Sequence, residues 1–228
     1  RALARALASQ GHAVQVVYTK PPWEQVPLPD ALPYEVVWAT LPALRSRSNA
    51  LLRPTTPWFV ARAVDRLVRR GGAAVVHGNG EEAAFVPELR ANPNHRQFGF
   101  VMTPRYPALP AAIENGEVQR SVVARALFAV THTKYVLLGR ALRGADFVCP
   151  TSRFAATLVQ RAYGLDSQKL RVIPNGISDE FLKSNHAREP HDAPVQVPFA
   201  IYFGRLAREK GVHTLLDALA TAGPEPET

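Results

Sequence analysis

The sequence of 228 residues contains a single cysteine and no apolar run long enough to cross a membrane. The lone Cys149 excludes an internal disulfide and fits a reducing, intracellular compartment. A spanning helix needs about 20 consecutive apolar residues, and no such run is present. The N-terminal residues Arg1–Arg5 are not followed by the apolar core of a signal peptide. Because the single cysteine and the scattered histidines lack ligand spacing, no metal site is expected.

Acidic residues are also fewer than basic ones. There are 27 Lys and Arg residues against 19 Asp and Glu residues, a net charge of +8. Such an excess favours anionic partners, such as phosphates, acidic lipid surfaces or nucleic acid. The arginines are spread among alanines, so an Arg- and Ala-rich background composition accounts for the charge equally well. No nucleic-acid-binding motif is present, and no nucleic-acid partner is expected.

Apolar runs alternate with segments of helical periodicity. The pattern predicts helices at 1–10, 58–70, about 117–143 and 152–163, and strands at 12–18, 34–38, 73–77, 97–103, 146–149 and 170–173. Strands that are separated by helices and rich in Val, Ile and Phe indicate an α/β fold with a Rossmann-like, doubly wound parallel sheet. The strand at 73–77 is predicted to be buried.

The composition changes after residue 182. Residues 183–198 are polar, contain Pro190, Pro194 and Pro198, and are predicted to form a linker. A strand at 199–203 and a helix at 212–220 then begin a second α/β unit, so we expect domains at 1–182 and 199–228. The first helix has no preceding strand, and the chain ends soon after the second unit begins. We therefore expect a fragment that lacks the first strand of its first domain and most of its second domain.

The strongest local signal lies around Gly204, where a predicted strand ends and a loop leads into a helix. In open α/β sheets, ligands bind beyond the carboxyl ends of the strands. Arg205 and Lys210 on this loop, close to a helix N-terminus, suit a diphosphate. The alternative is a solvated surface loop that carries three ordinary charges, with Arg208 as the third.

The pattern Gly-Arg-Leu-x-x-x-Lys-Gly-Val-x-x-Leu-Leu-x-Ala, which starts at Gly204, resembles the start of the donor domain of family-four glycosyltransferases. The segment Leu-Arg-Val-Ile-Pro-Asn-Gly-Ile-Ser-Asp-Glu-Phe at 170–181 is similar to the end of that family's acceptor domain. The resemblance implies the GT-B fold, with two Rossmann-like domains. It also implies transfer of a sugar from a nucleotide-sugar, expected to be a UDP- or GDP-sugar, with retention at the anomeric carbon. No cofactor is expected besides this donor.

The resemblance implies roles for residues near the second domain. Gly204, Arg205 and Lys210 would hold the donor diphosphate. An interdomain turn would be formed by Pro174, Asn175 and Gly176, although Asn-Gly is also an ordinary turn dipeptide.

Two earlier segments resemble the family more weakly. Residues 75–80 are similar to its Val-His-x-His segment, with Asn79 in place of the second histidine, and residues 100–106 occupy the place of its Thr-x-His-Asp, with Arg105 in place of the histidine. Arginine binds anions bidentately, but it stays protonated and cannot be a general base. No catalytic residue is therefore assigned. The residues predicted for an acceptor-side cleft are His77, Asn79, Gly80, Thr103, Arg105 and Ser152. A purely structural role is the alternative for His77, and Ser152 also fits a helix N-cap.

The implied partners are a nucleotide-sugar and a glycan, lipid or small-molecule acceptor. Arginines around Trp58 and Phe59, and basic residues at 120–143, suit an anionic membrane surface, with a solvated helix face as the alternative. We therefore expect a cytoplasmic protein, with peripheral binding to the inner face of the membrane as a hypothesis. Two rival functions are a nucleotide-sugar epimerase of the same fold and a non-catalytic, basic, membrane-surface binding module.

Overall fold

The computed structural model describes residues 2–20, 24–25, 28, 31–41, 55–71, 74–94, 97–104, 133–177, 201–204, 206 and 210–222. Its α-helices are α1 (Ala2–Ser9), α2 (Thr56–Arg69), α3 (Thr133–Gly144), α4 (Arg153–Tyr163) and α5 (Val212–Ala222). Its strands are β1 (Gln15–Lys20), β2 (Glu35–Thr40), β3 (Val75–Gly78), β4 (Gly99–Met102) and β5 (Phe147–Val148). Short 3-10 turns lie at Glu81–Ala83, Pro87–Ala91 and Ser167–Lys169.

Local signals explain where these helices begin and end. The side chain of Ser152 accepts a hydrogen bond from the Ala155 N–H at 3.0 Å, and this caps α4. Gly164 ends the same helix in the left-handed conformation, at φ 62°. Gly71, at φ 90°, follows α2 in the same way. The predicted helices at 58–70 and 152–163 are confirmed, and the predicted helix at 117–143 is described only from Thr133 onward.

Every described strand pair is parallel. β1 pairs with β2 in a two-stranded sheet, with Gln15 opposite Glu35. A three-stranded sheet has the order β3-β4-β5, with Val75 opposite Gly99 and Met102 opposite Val148. Parallel strands separated by helices confirm the predicted α/β class.

The main core lies around β4. Phe100 and Met102 of this strand are fully buried, together with Val148 of β5, Leu142 of α3 and Val159 of α4. Val64 and Val68 of α2 belong to the same cluster. Burying one such side chain contributes roughly 1.5–3 kcal/mol, so helices on the sheet faces hold the parallel strands together.

Three predicted strands differ from the structure. At 170–173 there is only an isolated bridge between Leu170 and Val148. Two hydrogen bonds hold the segment, from Arg171 N–H to Val148 O and from Ile173 N–H to Pro150 O, each 2.9 Å, but β5 has only two residues and offers too short a partner for a strand. The strand predicted at 73–77 is found at Val75–Gly78 and is not fully buried. Its Val75 is 61% exposed, since β3 pairs only with β4 in the described sheet. Residues 201–203 form no strand, and no strand partner is described within 177–228.

The chain divides into two compact units, 1–176 and 177–228. The linker predicted at 183–198 lies outside the described residues, so the proposed domain limits of 1–182 and 199–228 stay predictions. In the described ranges, no helix combines the length and apolar character that a membrane span requires.

Candidate functional site

The carboxyl ends of β3, β4 and β5 lie side by side, at what we call the carboxyl edge. Thr103 N–H donates to Gly78 O at 2.8 Å, which joins the ends of β3 and β4. Cys149 N–H donates to Met102 O at 2.7 Å, which joins the ends of β4 and β5. Loops that leave such an edge are the usual ligand-binding position of an open α/β sheet. The register therefore gathers residues of three loops that are far apart in sequence.

Two predicted cleft residues contact each other at the carboxyl edge. His77 Nε2 and Thr103 Oγ1 are 2.8 Å apart, and the pair lies on the surface, with Thr103 half-buried. Either group can donate in this bond, depending on the histidine tautomer. Sequence reasoning named both residues but not their contact, which depends on the β3–β4 register.

The turn after β3 requires glycine at position 78. A Cβ on Gly78 would lie 2.4 Å from Met102 Sδ and 2.7 Å from Ala83 Cβ, so no larger side chain fits without a shift. Gly78 is buried against Met102, whereas the next residue, Asn79, is exposed. The backbone of Gly80 is extended, at φ −174°, and leads into the 3-10 turn.

A carboxylate that sequence reasoning did not select also lies at this turn. Glu82 Oε2 is 2.5 Å from the point that a Cβ of Gly80 would occupy. The only signal in the sequence was its position two residues after Gly80, in the turn that follows the predicted strand at 73–77. Its carboxylate adds a hydrogen-bond acceptor to this turn.

The other two predicted cleft residues differ in what the structure shows. Pro104, next to Thr103, is fully buried and ends β4, but Arg105 lies outside the described residues. Ser152 follows β5, and its hydroxyl oxygen is engaged in capping α4. The structural role of Ser152 is therefore observed, and its contact with an acceptor stays a prediction.

A bidentate ion pair supports the strands beneath the carboxyl edge. The Arg90 guanidinium binds both carboxylate oxygens of Asp146, and Asp146 Oδ2 also accepts the Phe100 N–H at 2.8 Å. Partial burial alone would raise the pKa of Asp146, but the Phe100 amide and the Arg90 guanidinium outweigh it and lower this pKa. The ionised carboxylate thus ties the residue before β5 to β4.

The thiol of Cys149, at the end of β5, is buried. Burial raises the pKa of Cys149, against the smaller effect of Arg171, so its thiol stays neutral and is a poor nucleophile. In the part of the chain with described coordinates, no group of three His, Cys, Asp or Glu residues could hold a metal ion. His77, Thr103 and Glu82 offer hydrogen-bonding groups at this edge.

The predicted interdomain turn and donor loop are described separately. Pro174, Asn175 and Gly176 are exposed, and the division between the two units falls directly after them. In the second unit, Gly204 has φ 155°, and Lys210 is exposed just before α5. Arg205 lies outside the described residues. The diphosphate role of this loop stays a prediction.

Comparisons with known proteins agree with this architecture. The sequence profile of Glycosyltransferase Family 4 matches residues 1–181. A structure of sucrose-phosphate synthase from Thermosynechococcus elongatus is 23% identical and superposes with a TM-score of 0.62 over 98% of this chain and 53% of that one. A second structure of the same enzyme, comprising selected segments, is 20% identical, with a TM-score of 0.50 over 81% of this chain and 87% of that one. The chain spans about half the length of the first structure. No curated protein matches the chain. The likeness confirms the predicted Rossmann-like GT-B fold.

Proposed function

Because the chain belongs to Glycosyltransferase Family 4, we propose that it forms the acceptor side of an enzyme that transfers a sugar from a nucleotide-sugar, with retention at the anomeric carbon. The observation that supports this role is the His77–Thr103 contact of 2.8 Å at the carboxyl edge. An acceptor hydroxyl needs a partner that both donates and accepts hydrogen bonds, and an imidazole beside a hydroxyl offers both. The family and the position of the pair therefore point to the same step.

His77 is the acceptor-side residue best suited to proton exchange near neutral pH. Thr103 Oγ1 contacts its Nε2 and thereby fixes one orientation of the imidazole ring. Arg105 on the same loop stays protonated and suits an anionic group of the acceptor. A glycan, lipid or small-molecule acceptor with a phosphate or carboxylate near the reacting hydroxyl fits this combination.

The donor side of the proposal rests on the loop between Gly204 and α5. Breaking the bond from sugar to diphosphate builds negative charge on the leaving group, and fixed cations stabilise that charge in the transition state. Arg205 and Lys210 supply such cations, and Lys210 directly precedes the turn into α5. A UDP- or GDP-sugar is the proposed donor, with no further cofactor. A cytoplasmic location gives access to these donors.

The test is a transferase assay on the full-length protein, with UDP- and GDP-sugars and a panel of glycan and lipid acceptors. We expect His77→Ala to lower kcat/KM for the acceptor by about 10²-fold while the KM of the donor stays unchanged, as for loss of a positioned acid–base group. Arg205→Ala should instead weaken turnover of the donor. His12→Ala is the matched control, since His12 is exposed in the loop after α1 and far in sequence from the site.

Two results would contradict the proposal. Consumption of the donor at the same rate without any acceptor would favour an epimerase of the same fold. Full activity of His77→Ala would show that the His77–Thr103 contact is only structural.

A second candidate role, binding to an anionic membrane, has its own observation. Trp58 is 47% exposed at the start of α2, packs edge-on against Phe59 at 4.9 Å, and lies under the Arg62 guanidinium at 4.6 Å. An exposed tryptophan beside a cation suits the interface of an acidic bilayer. Co-sedimentation with vesicles of anionic lipid, but not of neutral lipid, is expected, and Trp58→Ala should reduce it. Equal binding to both lipids would exclude this role.

A further inference from the structure

A groove of about 290 Å³ lies between strand β2 and helix α2, on elements that the proposed transferase site does not use. Residues 35–38 of β2 line one wall, and Ala63, Arg66, Leu67 and Arg70 line the other. The strand residues are consecutive, and the helix residues have the spacing of a single face. The groove therefore runs along the edge of a strand and beside one helical stripe.

The β2 edge in this groove carries backbone groups that β1 does not use. Glu35 N–H donates to Val14 O and Leu41 N–H donates to Lys20 O, each at 3.0 Å, so the odd-numbered residues face β1. In a parallel pair, alternate residues turn their N–H and C=O groups to opposite sides. Val36 and Trp38 therefore direct these groups away from β1, where the described residues provide no further strand. Such an edge is a template for an added strand.

The helical wall carries two positive charges without a described counter-ion. Among the residues with described coordinates, no ion pair involves Arg66 or Arg70, although Arg69 on the same helix binds Asp65 at 3.0 Å. Arg70 N–H still bonds to Arg66 O at 3.3 Å, so the two arginines keep helical spacing. Four residues of helix rise about 6 Å, and two residues of strand rise about 6.6 Å. Acidic side chains at alternate positions of a strand therefore match these arginines.

We propose that this groove binds an extended, acidic protein segment, which adds as a strand to the outer edge of β2. Backbone hydrogen bonds to Val36 and Trp38 would give affinity, and carboxylates aligned with Arg66 and Arg70 would give selectivity. Residues 41–54 of this chain, which follow β2, contain no Asp or Glu and lack the required charge. The segment that directly follows β2 is thus unsuited to the groove, and the occupant that we propose is a segment of another protein. Glu35, whose carboxylate accepts from Gln15 Nε2 at 2.7 Å, is the one acidic residue of the groove and opposes the partner's charge.

Fluorescence anisotropy with a labelled peptide of alternating Val and Glu tests the proposal. Two probes accompany it, one with Lys in place of Glu and one N-methylated at alternate amides. We expect saturable binding of the acidic peptide, at least about tenfold weaker binding of both other probes, and weaker binding at high salt. The double substitution Arg66→Ala/Arg70→Ala should weaken binding of the acidic peptide by about tenfold or more. Glu35→Gln should tighten binding of the acidic peptide, because it removes a negative charge from the groove.

The matched control is Arg62→Ala/Arg69→Ala, which removes the same charge from the same helix outside the groove and should leave the affinity within about twofold. Equal losses in both double variants would overturn the proposal in favour of general charge attraction. Equal binding of the N-methylated peptide would also overturn it, because no strand would then be added. Displacement of the peptide by inorganic phosphate at similar concentration, or by anionic vesicles through Arg66 and Arg70, would instead indicate a small-anion or membrane site.

Discussion

Asp146 is a residue whose replacement should test how the carboxyl edge is held together. Its carboxylate binds Arg90 through both oxygens and accepts the Phe100 N–H at 2.8 Å. The Arg90 guanidinium also lies over the rings of Phe98 and Phe100, at 5.6 and 5.9 Å. Asp146→Ala removes the two carboxylate oxygens that bind Arg90 and leaves the Arg90 charge beside two apolar rings.

The expected loss follows from the exposure of the partners. The Arg90 side chain is 23% exposed and that of Asp146 is 43% exposed, so the ion pair is worth far less than a fully buried one. Solvent screening leaves about 1 kcal/mol for the pair, and the unpaired Phe100 N–H adds about 1 kcal/mol. Asp146→Ala should therefore lower the free energy of unfolding by about 2 kcal/mol, or the Tm by roughly 4–8 °C for a chain of this size. Asp146→Asn keeps an acceptor for Phe100 and should lose about 1 kcal/mol.

The pH dependence has a definite sign. The folded state lowers the pKa of Asp146 below the ordinary value of about 3.9. The contribution of the ionised carboxylate is therefore present above pH 4 and is lost as the pH falls through the folded pKa. The stability difference between the wild type and Asp146→Asn should be constant near neutral pH and should shrink in acid.

Urea unfolding followed by circular dichroism, repeated from pH 7 down to the lowest pH at which the chain folds, measures both effects. Glu88→Gln is the control, because its pair with Arg140 is exposed, with side chains 45% and 51% accessible, and should change stability by less than about 0.5 kcal/mol. Equal stability of Asp146→Ala and the wild type at pH 7 would refute the role of the ion pair. If the stability difference between the wild type and Asp146→Asn stays constant in acid, the ionised carboxylate is not the origin of that difference.

Two further substitutions probe the core. Gly78→Ala should destabilise the fold by about 1–3 kcal/mol in urea, since its Cβ would meet Met102 Sδ at 2.4 Å. Gly99→Ala, whose Cβ would have only ordinary contacts from 3.7 Å, should cost much less, and equal losses would contradict the steric explanation. Burial is the main cause that raises the pKa of Tyr163 to about 12, and its buried hydroxyl has no hydrogen-bond partner among the described residues. Tyr163→Phe should therefore be neutral or stabilising at pH 7. Since the folded pKa lies above the unfolded value of about 10, the wild type should lose stability relative to Tyr163→Phe between pH 10 and 12; parallel curves there would contradict this.

Several features of the fold were predictable because neighbouring residues determine them. Ser152 and Gly164 bound a predicted helix, and both act through caps that involve only nearby backbone groups. The strand predicted at 170–173 was wrong, because strand formation depends on partners elsewhere in the chain. Leu170 forms one bridge to Val148, and the side chains of Val172 and Ile173 are exposed, although Ile173 N–H bonds to Pro150 O.

The candidate site was predictable residue by residue but not as an arrangement. His77 and Thr103 were selected because residues 75–80 and 100–106 resemble segments of the family, and His77 also lies at the carboxyl end of a predicted strand. Their contact spans 26 positions and exists only because β3 and β4 pair in one register. Glu82 was missed because a glutamate that follows Glu81 in a turn has no distinguishing local pattern.

The sequence by itself determined the α/β class, the limits of capped helices, the positive net charge and the resemblance to a glycosyltransferase family. These features depend on composition, on side-chain period and on motifs a few residues long. Tertiary structure alone decided which distant residues meet. It joins Arg90 to Asp146 across 56 positions and sets Arg66 and Arg70 beside β2, in one groove. The physical reason is that such contacts follow from strand register and helix packing, which no local stretch of the chain specifies.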